Sequence, residues 1–466
     1  MVMEVSGSQL KLDRELIRRM DRPGPRYTSY PTADRFREDF TAQDYRYWVE
    51  NRNPGGVIRP LSLYVHVPFC DTVCFYCACN KVVTKDRRRA EEYLHYLSAE
   101  IRIQGTLCRK DPKVVQMHWG GGTPTYLSDV QIRELMRTIR SHFKLSDSGE
   151  YSIEVDPRKV SGDTVALLGE LGFNRMSMGV QDFDPGVQRA VNRIQSEEQT
   201  WGVLAAARGN GFKSVSVDLI YGLPKQTVAS FDETLNKVIA AAPDRIAVYN
   251  YAHLPALFKP QRRISAEDLP QPEERLGILD LAIRKLASAG YVYIGMDHFA
   301  KPEDELAVAQ RQGRLHRNFQ GYSTYAGCDL IGLGASAIGN VGPIYSQNAK
   351  DLPHYYRSLA AGELPVIRGL RLSADDLARR AVIQGLMCQF TLAKEAISTS
   401  YLLDFNRHFA QELEELEIFA KQGLVELSED FIVVTPRGRF LIRNICMVFD
   451  RYLREDRGST RYSRAI

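Results

Sequence analysis

The sequence predicts an α/β fold: an open partial (β/α)6 TIM-like barrel with an N-terminal extension and a mostly helical C-terminal domain. Three observations predict it: six short apolar runs, longer amphipathic runs between them, and helical patterning from about residue 350. Apolar strands joined by crossover helices are typical of a parallel sheet covered by helices. Six units are fewer than the eight of a closed barrel, so an open barrel is expected, with a doubly wound sheet as the alternative.

The strand and helix predictions come from hydrophobic periodicity. Segment 91–104 places Tyr93, Leu94, Leu97 and Ile101 on one helical stripe, and segments 131–143 and 230–241 behave similarly. The predicted strands are 61–67, 114–120, 151–155, 175–181, 214–222 and 245–251.

The pattern changes after residue 256. An irregular stretch precedes a helix at 272–289, and the Gly-rich run 329–342 is either a backbone that approaches a ligand or a buried connector. The C-terminal part is predicted to form helices and a hairpin that turns at Ser428–Asp430, and this combination resembles a winged-helix module. The expected domains are an N-terminal extension that covers the active site (1–55), the barrel (56–300), a connector that contributes to the site (301–350) and a helical domain (351–466).

Composition excludes several classes of protein. The chain has 466 residues, of which 44% are hydrophobic and 25% are charged, and a net charge of +4, which is too small to argue for nucleic-acid binding. Eight cysteines are too few for a disulfide scaffold, and no apolar run approaches the roughly 20 residues of a membrane span. The sequence has no signal-peptide pattern, so we expect a cytoplasmic protein with reduced thiols.

Polar residues stand at the C-terminal end of each predicted strand. In barrels of this kind the active site forms at that rim, so we expect these side chains to meet there. They are Cys70, the glycines 120–122 with Thr123, Glu154 with Asp156, Gln181 with Asp182, Asp218, and Tyr251 with His253.

The most specific motif is CDTVCFYCAC, residues 70–79, which holds four of the eight cysteines. Zinc sites usually need a second Cys or His pair, and none follows at that spacing. Three thiolates from one loop suit an iron–sulfur cluster, and three ligands leave one iron open for chemistry.

The CxxxCxxC spacing resembles that of radical S-adenosylmethionine enzymes. Further motifs narrow the resemblance to the oxygen-independent coproporphyrinogen III oxidase family, and they run from residue 24 almost to the C-terminus. They include GPRYTSYPTA (24–33), HWGGGTPTYL (118–127), IEVDPR (153–158), VNRIQ (191–195), DLIYGLPKQT (218–227), HRNFQGY (316–322) and LIRNICM (441–447).

The resemblance implies one 4Fe-4S cluster held by Cys70, Cys74 and Cys77, whose fourth iron binds S-adenosylmethionine. Electron transfer then splits the sulfonium bond and releases a 5′-deoxyadenosyl radical. The family implies two S-adenosylmethionine molecules. Contacts to the first are expected from Tyr64, Tyr76, Gly121, Gly122 and Glu154; contacts to the second are expected from Gly122, Thr123, Gln181, Arg193, Asp218, Ala252 and Ile338.

The implied substrate is coproporphyrinogen III, two of whose propionates become vinyl groups. Arg22 and Arg26 are expected to face its carboxylates, and Tyr27 and Tyr30 to cover the pocket or relay a proton. Cys79 is either a small buried residue or a thiol that acts on the substrate side. The expected partners are an unidentified reductant and an electron acceptor, with no nucleic acid or membrane, and the protein is expected to be a monomer.

Three alternatives remain open. A haem-binding chaperone on the same fold would lack the GPRYTSYPT segment and carry Phe in place of Cys79. A radical enzyme that methylates or opens porphyrins fits HRNFQGY (316–322) and the intact N-terminal segment less well. A transcriptional regulator that uses the C-terminal module is disfavoured because its recognition helix would be ELEELEIFAK, which is acidic.

Overall fold

The computed structural model describes residues 12–20, 22–53, 56–109 and 112–455. The strands are β1 (Leu61–Val67), β2 (Phe69–Cys70), β3 (Val82–Val83), β4 (Lys113–Gly121), β5 (Lys144–Val155), β6 (Arg175–Gln181), β7 (Ser214–Tyr221), β8 (Arg245–Asn250), β9 (Val292–Gly295), β10 (His298–Ala300), β11 (His316–Asn318), β12 (Gly321–Ser323), β13 (Asp329–Leu333), β14 (Ile338–Val341), β15 (Ile344–Asn348), β16 (Val366–Arg371), β17 (Thr391–Ala393), β18 (Val425–Leu427) and β19 (Phe431–Val434). The α-helices are α1 (Arg14–Met20), α2 (Ala42–Glu50), α3 (Arg88–Cys108), α4 (Asp129–His142), α5 (Gly162–Glu170), α6 (Pro185–Ala190), α7 (Glu197–Gly209), α8 (Val228–Ala241), α9 (Pro272–Ser288), α10 (Glu305–Arg311), α11 (Leu352–Ala360), α12 (Ala374–Gln389), α13 (Lys394–Tyr401), α14 (Phe405–His408), α15 (Ala410–Ala420), α16 (Ile442–Met447) and α17 (Arg451–Glu455).

A mixed sheet of twelve strands forms the centre of the fold, in the order β16-β15-β14-β13-β1-β4-β5-β6-β7-β8-β10-β9. The six predicted strands are β1 and β4 to β8, and they lie side by side, each parallel to the next. Their order follows the chain without reversal, which does not fit a doubly wound sheet. The α/β class and the parallel strands are confirmed, and closure into a partial barrel stays a prediction.

The sequence analysis missed the strands that extend both edges of this sheet. β13 pairs parallel with β1, while β14, β15 and β16 continue the sheet in antiparallel fashion. The Gly-rich run 329–342, for which a ligand-approaching backbone and a buried connector were the alternatives, contains the antiparallel strands β13 and β14. At the other edge, β10 pairs antiparallel with both β8 and β9.

The two faces of the parallel strands differ in chemistry. On β1, Leu61, Leu63 and Val65 have no exposed surface, as expected for side chains packed beneath crossover helices. The opposite face is polar and hydrogen-bonded from strand to strand. Ser62 Oγ donates to Gln116 Oε1 at 2.9 Å, and Ser177 Oγ donates to Asp218 Oδ2 at 3.1 Å. We call this the polar face of the sheet, because it presents side chains suited to binding rather than to core packing.

The N-terminal segment packs between the sheet and the C-terminal helices. Arg443 on α16 donates to the carbonyls of Gly24 and Pro25, and the Tyr27 hydroxyl donates to Asp450 Oδ2 at 3.0 Å. In the same segment, Arg26 forms an ion pair with Asp297, between β9 and β10. Residues 1–11, 21 and 54–55 of the predicted N-terminal extension lie outside the described residues, as do 456–466 of the predicted C-terminal domain.

The region after residue 350 is mostly helical, as predicted. Its three-stranded sheet has the order β17-β19-β18, and β18 pairs antiparallel with β19 across the predicted turn. The winged-helix assignment stays a prediction. Among the described residues, no helix is both long and apolar enough to span a bilayer.

Candidate active site

A cavity of 260 Å³ lies at the carboxyl ends of β2 and β4 to β7. It gathers most of the residues that the sequence analysis singled out. They are Cys70, Cys74, Tyr76, Cys77, Cys79, Gly121, Gly122, Thr123, Glu154, Gln181, Arg193 and Asp218. These residues therefore lie around one cavity, at five strand ends and on the cysteine loop, and their roles stay predictions.

The cysteine loop begins at the short strand β2, which ends at Cys70 and pairs with β3. The Cys77 amide donates to the Cys74 carbonyl at 3.2 Å, which folds the loop into a turn between these cysteines. The Lys81 ammonium donates to the Cys77 carbonyl at 3.2 Å. The three cysteines of the CxxxCxxC motif thus line one wall of the cavity.

Two arginines reach the Cys74 thiol from the opposite side. Arg158 Nη2 lies 3.8 Å from Cys74 Sγ, and Arg193 Nη1 lies 3.7 Å from it. Asp156 holds both guanidiniums, with contacts of 2.6 Å to Arg158 and 3.4 Å to Arg193. Two guanidinium groups held by one carboxylate therefore face the sulfur of Cys74.

The other thiols differ in their surroundings. Burial raises the pKa of Cys70 to about 11, although Thr123 Oγ1 lies 3.5 Å from its sulfur. A hydrogen bond with Cys79 lowers the pKa of Cys77 to about 6, and the same contact raises the pKa of Cys79. Cys79 itself is solvent-exposed at the cavity edge. Cys79 is therefore not the small buried residue of one interpretation, and its action on the substrate side stays a prediction.

Glu154 contacts both the glycine motif and His118. Its Oε2 accepts from the Gly121 amide at 3.2 Å, and its Oε1 lies 3.2 Å from His118 Nε2. Enclosure would raise the pKa of Glu154, but the contacts with His118 and Gly121 leave that pKa below its ordinary value. The carboxylate is therefore ionised at neutral pH and can accept hydrogen bonds from ligand hydroxyls.

The glycines are required by close backbone approach. Gly121 has φ of +116°, and a Cβ there would lie 2.6 Å from the His66 ring. A Cβ on Gly122 would lie 2.7 Å from the carbonyl groups of Pro68 and Phe69. The ends of β4 and β1 thus approach each other more closely than any larger side chain permits.

The part of the cavity farther along the sheet contains Gln181 and Asp218. Gln181 has φ of +69°, and its Oε1 is buried without a hydrogen-bond partner. Burial and then the charge of Glu154 raise the pKa of Asp218 to about 7. An unpartnered amide oxygen next to a carboxylate is suited to bind an ammonium or hydroxyl group of a ligand.

The remaining predicted site residues do not line this cavity. Tyr64 lies on the polar face, with its ring stacked on His118 at 6.0 Å and its hydroxyl 3.1 Å from His66 Nδ1. Ala252 lies in the segment after β8, and Ile338 begins β14. Tyr30 is 1% exposed; its hydroxyl accepts from the Arg451 amide and its ring packs on Tyr452, on the C-terminal side of the molecule.

The residues present fit an iron–sulfur cluster and S-adenosylmethionine. Three soft thiol ligands share one cavity, and no three His, Cys, Asp or Glu side chains in the described ranges are arranged to hold a single metal ion. The unpartnered Gln181 Oε1 and the Glu154 carboxylate provide acceptors beside them. This combination suits a cluster with a polar, positively charged ligand next to it.

Sequence reasoning missed several residues that shape the site. Arg158 belongs to the IEVDPR motif, but the sequence analysis did not assign it to the site. It lies two positions after Asp156 and donates to the Asp156 carboxylate. His118 was also unassigned; it lies on the same face as Tyr64, its direct partner in the β1–β4 register. Pairing β1 with β4 in register would have placed His118 beside Tyr64. The approach of Arg158 to Cys74, in contrast, depends on the conformation of the cysteine loop.

Comparison with known proteins identifies the relatives of this chain. The radical SAM superfamily profile matches residues 64–238, and the HemN C-terminal domain profile matches residues 372–441. The chain is 53% identical over 459 residues to the oxygen-independent coproporphyrinogen III oxidase of Pseudomonas aeruginosa, covering 98% of this chain and 99% of that protein. It is 50% identical over 462 residues to the protein of the same name from Escherichia coli strain K12, covering 99% and 100%.

A solved structure, the coproporphyrinogen III oxidase HemN of Escherichia coli, described as a radical SAM enzyme, superimposes with a TM-score of 0.91. The match has 49% identity and covers 96% of this chain and 100% of that one. Identity of this level over the full length, together with the structural superposition, shows the family. The chain belongs to the oxygen-independent coproporphyrinogen III oxidase family of the radical SAM superfamily.

Proposed function

We propose that this protein is an oxidoreductase that converts two propionate side chains of coproporphyrinogen III to vinyl groups by oxidative decarboxylation, giving protoporphyrinogen IX in anaerobic haem biosynthesis. One observation carries the proposal: the three motif cysteines share a cavity with Glu154, Gln181 and Asp218. That arrangement supports the proposal, because the three cysteines would be cluster ligands beside acceptors for a polar cofactor, in a chain of the corresponding family.

Cys70, Cys74 and Cys77 would hold a 4Fe-4S cluster. When bound, the cluster and S-adenosylmethionine supply a one-electron cleavage that produces a radical able to remove hydrogen from the propionate β-carbon. Arg158 and Arg193 lie against Cys74 Sγ and offset part of the negative charge of its thiolate. The protein contributes the ligands and the electrostatic environment, and the difficult chemistry belongs to the cofactors.

Glu154, Gly121 and Gly122 would hold the S-adenosylmethionine next to the cluster. Gly121 and Gly122 line the cavity and, because they have no side chain, let the end of β4 pack directly against the end of β1; Glu154 offers an ionised acceptor for ribose hydroxyls. Tyr76 lines the same cavity, and the backbone carbonyl of Tyr76 accepts from Gln261 Nε2 at 3.0 Å, which fixes this part of the loop. Tyr64 supports the site from the polar face through its stacking on His118.

A second S-adenosylmethionine would lie farther along the sheet. Gln181, Arg193 and Asp218 line that side of the cavity with Gly122 and Thr123. The free Gln181 Oε1 and the Asp218 carboxylate suit the ligand's ammonium group, and Arg193 suits its carboxylate. Ala252 and Ile338 would provide apolar contacts from the segment after β8 and the start of β14.

The N-terminal segment, residues 24–30, would exclude water from the substrate. It is held to the C-terminal helices through Tyr27 and Arg443 and to the sheet through Arg26. Cys79 would act at the substrate side of the cavity, and Tyr30 would orient the covering segment. We also infer a monomer with the four domains given above; the electron donor and acceptor are separate molecules.

The test is an anaerobic turnover assay. The purified chain is reconstituted with iron and sulfide and then given S-adenosylmethionine, a reductant and coproporphyrinogen III. We expect protoporphyrinogen IX, detected after oxidation as protoporphyrin IX, and about four irons per chain that fall in each of the variants C70A, C74A and C77A. Tight haem binding without conversion would contradict the proposal and favour the chaperone alternative.

A further inference from the structure

Arg317, in the HRNFQGY motif, is a buried arginine whose side chain has no acidic partner among the described residues. Its residue surface is 4% exposed, and its Nε and Nη1 are buried without a hydrogen-bond partner. Gln384 on α12 fixes its backbone from both sides, accepting from the Arg317 amide at 3.1 Å and donating to its carbonyl at 2.7 Å. The position of this cation is therefore built into the fold, while its charge is left unneutralised.

A continuous set of side chains links Arg317 to the sheet. The guanidinium lies 4.7 Å from the Tyr322 ring centroid, and the Tyr322 ring is 5.3 Å from that of His298. His298 Nε2 lies 3.4 Å from the Tyr249 hydroxyl, and Arg26 lies 5.8 Å over the Tyr249 ring. We call Arg317, Tyr322, His298, Tyr249 and Arg26 the basic cluster.

Only one of the two arginines in the basic cluster is neutralised. Arg26 forms an ion pair with Asp297. Within the part of the chain that the structure describes, no carboxylate pairs with Arg317. His298 Nδ1 is also buried without a partner. The positive charges of Arg317 and Arg26 lower the pKa of His298 further than burial alone does, so His298 is neutral and its ring can donate a hydrogen bond.

The basic cluster is adjacent to the site cavity. In the register of the sheet, Asp218 on β7 pairs with Ala247 on β8, and Ala247 pairs with His298 on β10. Residues in register across a sheet share a face, so His298 and Asp218 are on the same side, two strand spacings or about 10 Å apart. The negative charge of Asp218 also raises the pKa of Tyr249, after burial.

A buried guanidinium without an acceptor is destabilising, because its desolvation is not offset by a hydrogen bond. Such an arrangement is explained when a ligand supplies the missing acceptor. A carboxylate matches the planar fork of an arginine and can take two of its N–H groups. The substrate of the proposed reaction has four carboxylates, of which one at a time reacts at the cavity.

We propose that Arg317, with the His298 ring beside it, binds a propionate carboxylate of the tetrapyrrole and so positions the macrocycle relative to the cavity. The assignment rests on the proposed function for the identity of the ligand. It changes the sequence-based expectation that Arg22 and Arg26 meet the substrate carboxylates, because Arg26 is paired with Asp297 and Arg22 is exposed. Arg317 is the cation of the basic cluster that remains available.

The experiment measures binding without turnover. Coproporphyrin III, the air-stable oxidised form with four carboxylates, is titrated into the reconstituted protein with no reductant, and binding is followed by porphyrin fluorescence. Its tetramethyl ester is the uncharged control ligand. The variants are Arg317→Gln and Arg317→Lys, and the control variant is Arg314→Gln, an exposed arginine on the same segment that donates to Gln312.

We expect Arg317→Gln to weaken coproporphyrin III binding about tenfold or more and to leave the ester unaffected, because only the acid supplies a charged acceptor. Arg317→Lys should recover part of the affinity, and Arg314→Gln should match the wild type. Equal affinity of Arg317→Gln and wild type for the acid would overturn the proposal. If the Gln variant fails to fold, equal wild-type affinities for acid and ester would overturn it as well.

The same preparation separates this proposal from the proposed function. If the wild type converts coproporphyrinogen III and Arg317→Gln has the same KM for it, the proposed function stands and the proposed role of Arg317 is wrong. No conversion by the wild type, with intact cluster and cofactor binding, would instead remove the proposed function.

Discussion

The Arg193 guanidinium lies against the Cys74 thiol, with Nη1 3.7 Å from Sγ, and the Asp156 carboxylate holds that guanidinium from behind. Arg158 approaches the same sulfur and shares the same carboxylate. One buried acid thus orients two cations toward one of the proposed cluster ligands. Asp156 should therefore be needed both for folding and for cluster retention.

Replacing Asp156 with Asn leaves two buried guanidiniums without their anion. We expect the free energy of unfolding of the cluster-free protein to fall by about 3 kcal/mol, measured by urea denaturation, because breaking a buried ion pair leaves uncompensated charge. The exposed acid Asp163, changed to Asn, serves as the control and should have little effect. A D156N protein as stable as the control would show that Asp156 does not hold the arginines.

Cys79 should matter for turnover rather than for cluster assembly. The variant C79S is expected to keep the iron content and the S-adenosylmethionine affinity of the wild type, while turnover drops about 100-fold if the thiol takes part in hydrogen or proton transfer. Cys328, which is outside the site cavity, provides the matched variant C328S with normal turnover. Full activity of C79S would contradict a substrate-side role.

Asp218 should make cofactor binding depend on pH. Its pKa is raised to about 7, so the carboxylate is mostly protonated at pH 6 and mostly ionised at pH 8. Binding of a ligand ammonium group should therefore strengthen about tenfold over that interval, measured by calorimetry with S-adenosylmethionine. In D218N the affinity should be weak and nearly flat with pH. A wild-type affinity that stays constant from pH 6 to 8 would refute this role.

The same shift has a consequence for stability. The folded-state pKa of Asp218 is above its ordinary value of 3.8, so the folded state binds the proton more tightly than the unfolded state. Its contribution therefore favours folding at low pH and is lost as the pH rises through about 7. The D218N protein should lack this pH-dependent contribution to stability. Its free energy of unfolding should therefore decline less than that of the wild type between pH 5 and 8.

The variant G122A tests whether the ends of β1 and β4 approach too closely for a side chain at position 122. In G122A the new methyl group would meet the Pro68 and Phe69 carbonyls at 2.7 Å, so we expect a loss of about 2 kcal/mol in unfolding free energy and weaker S-adenosylmethionine binding. Gly202, in α7, is the matched control because a Cβ added there would meet nothing within 4 Å. G202A should be neutral or slightly stabilising, as expected for Ala in a helix. A G122A protein that behaves like G202A would contradict the steric argument.

The parallel strands could be predicted from the sequence because each is a nearly continuous apolar run. The run Leu61–Val67 is an example: its apolar positions are covered by helices, and its boundaries match the prediction. The strand Arg175–Gln181 also matches. The strands β10 and β14, which extend the sheet beyond its parallel part, could not be found in this way, because segments of three or four residues contain too few positions to show a period.

The candidate site was predictable where a residue ends a strand and hard to predict where it approaches from elsewhere. Glu154, Gln181 and Asp218 each lie at or near a strand end, so the parallel order alone brings them to one rim. Arg317 comes from a hairpin outside the twelve-stranded sheet, and its missing partner is visible only when the neighbouring side chains are in place. Whether a side chain has a hydrogen-bond or ion-pair partner depends on the folded molecule, whereas its position along a strand can be read from the sequence.

The hydrogen bond from Tyr27 to Asp450 joins residues that are 423 positions apart. During translation, the ribosome must therefore add 423 residues after Tyr27 before its partner exists. At about 5 to 20 residues per second, that interval is on the order of 20 to 85 s. The last parallel strand of the cavity, β7, ends at Tyr221, so the cysteine loop and all the strands around it are synthesised long before the N-terminal segment can form its contact with Asp450.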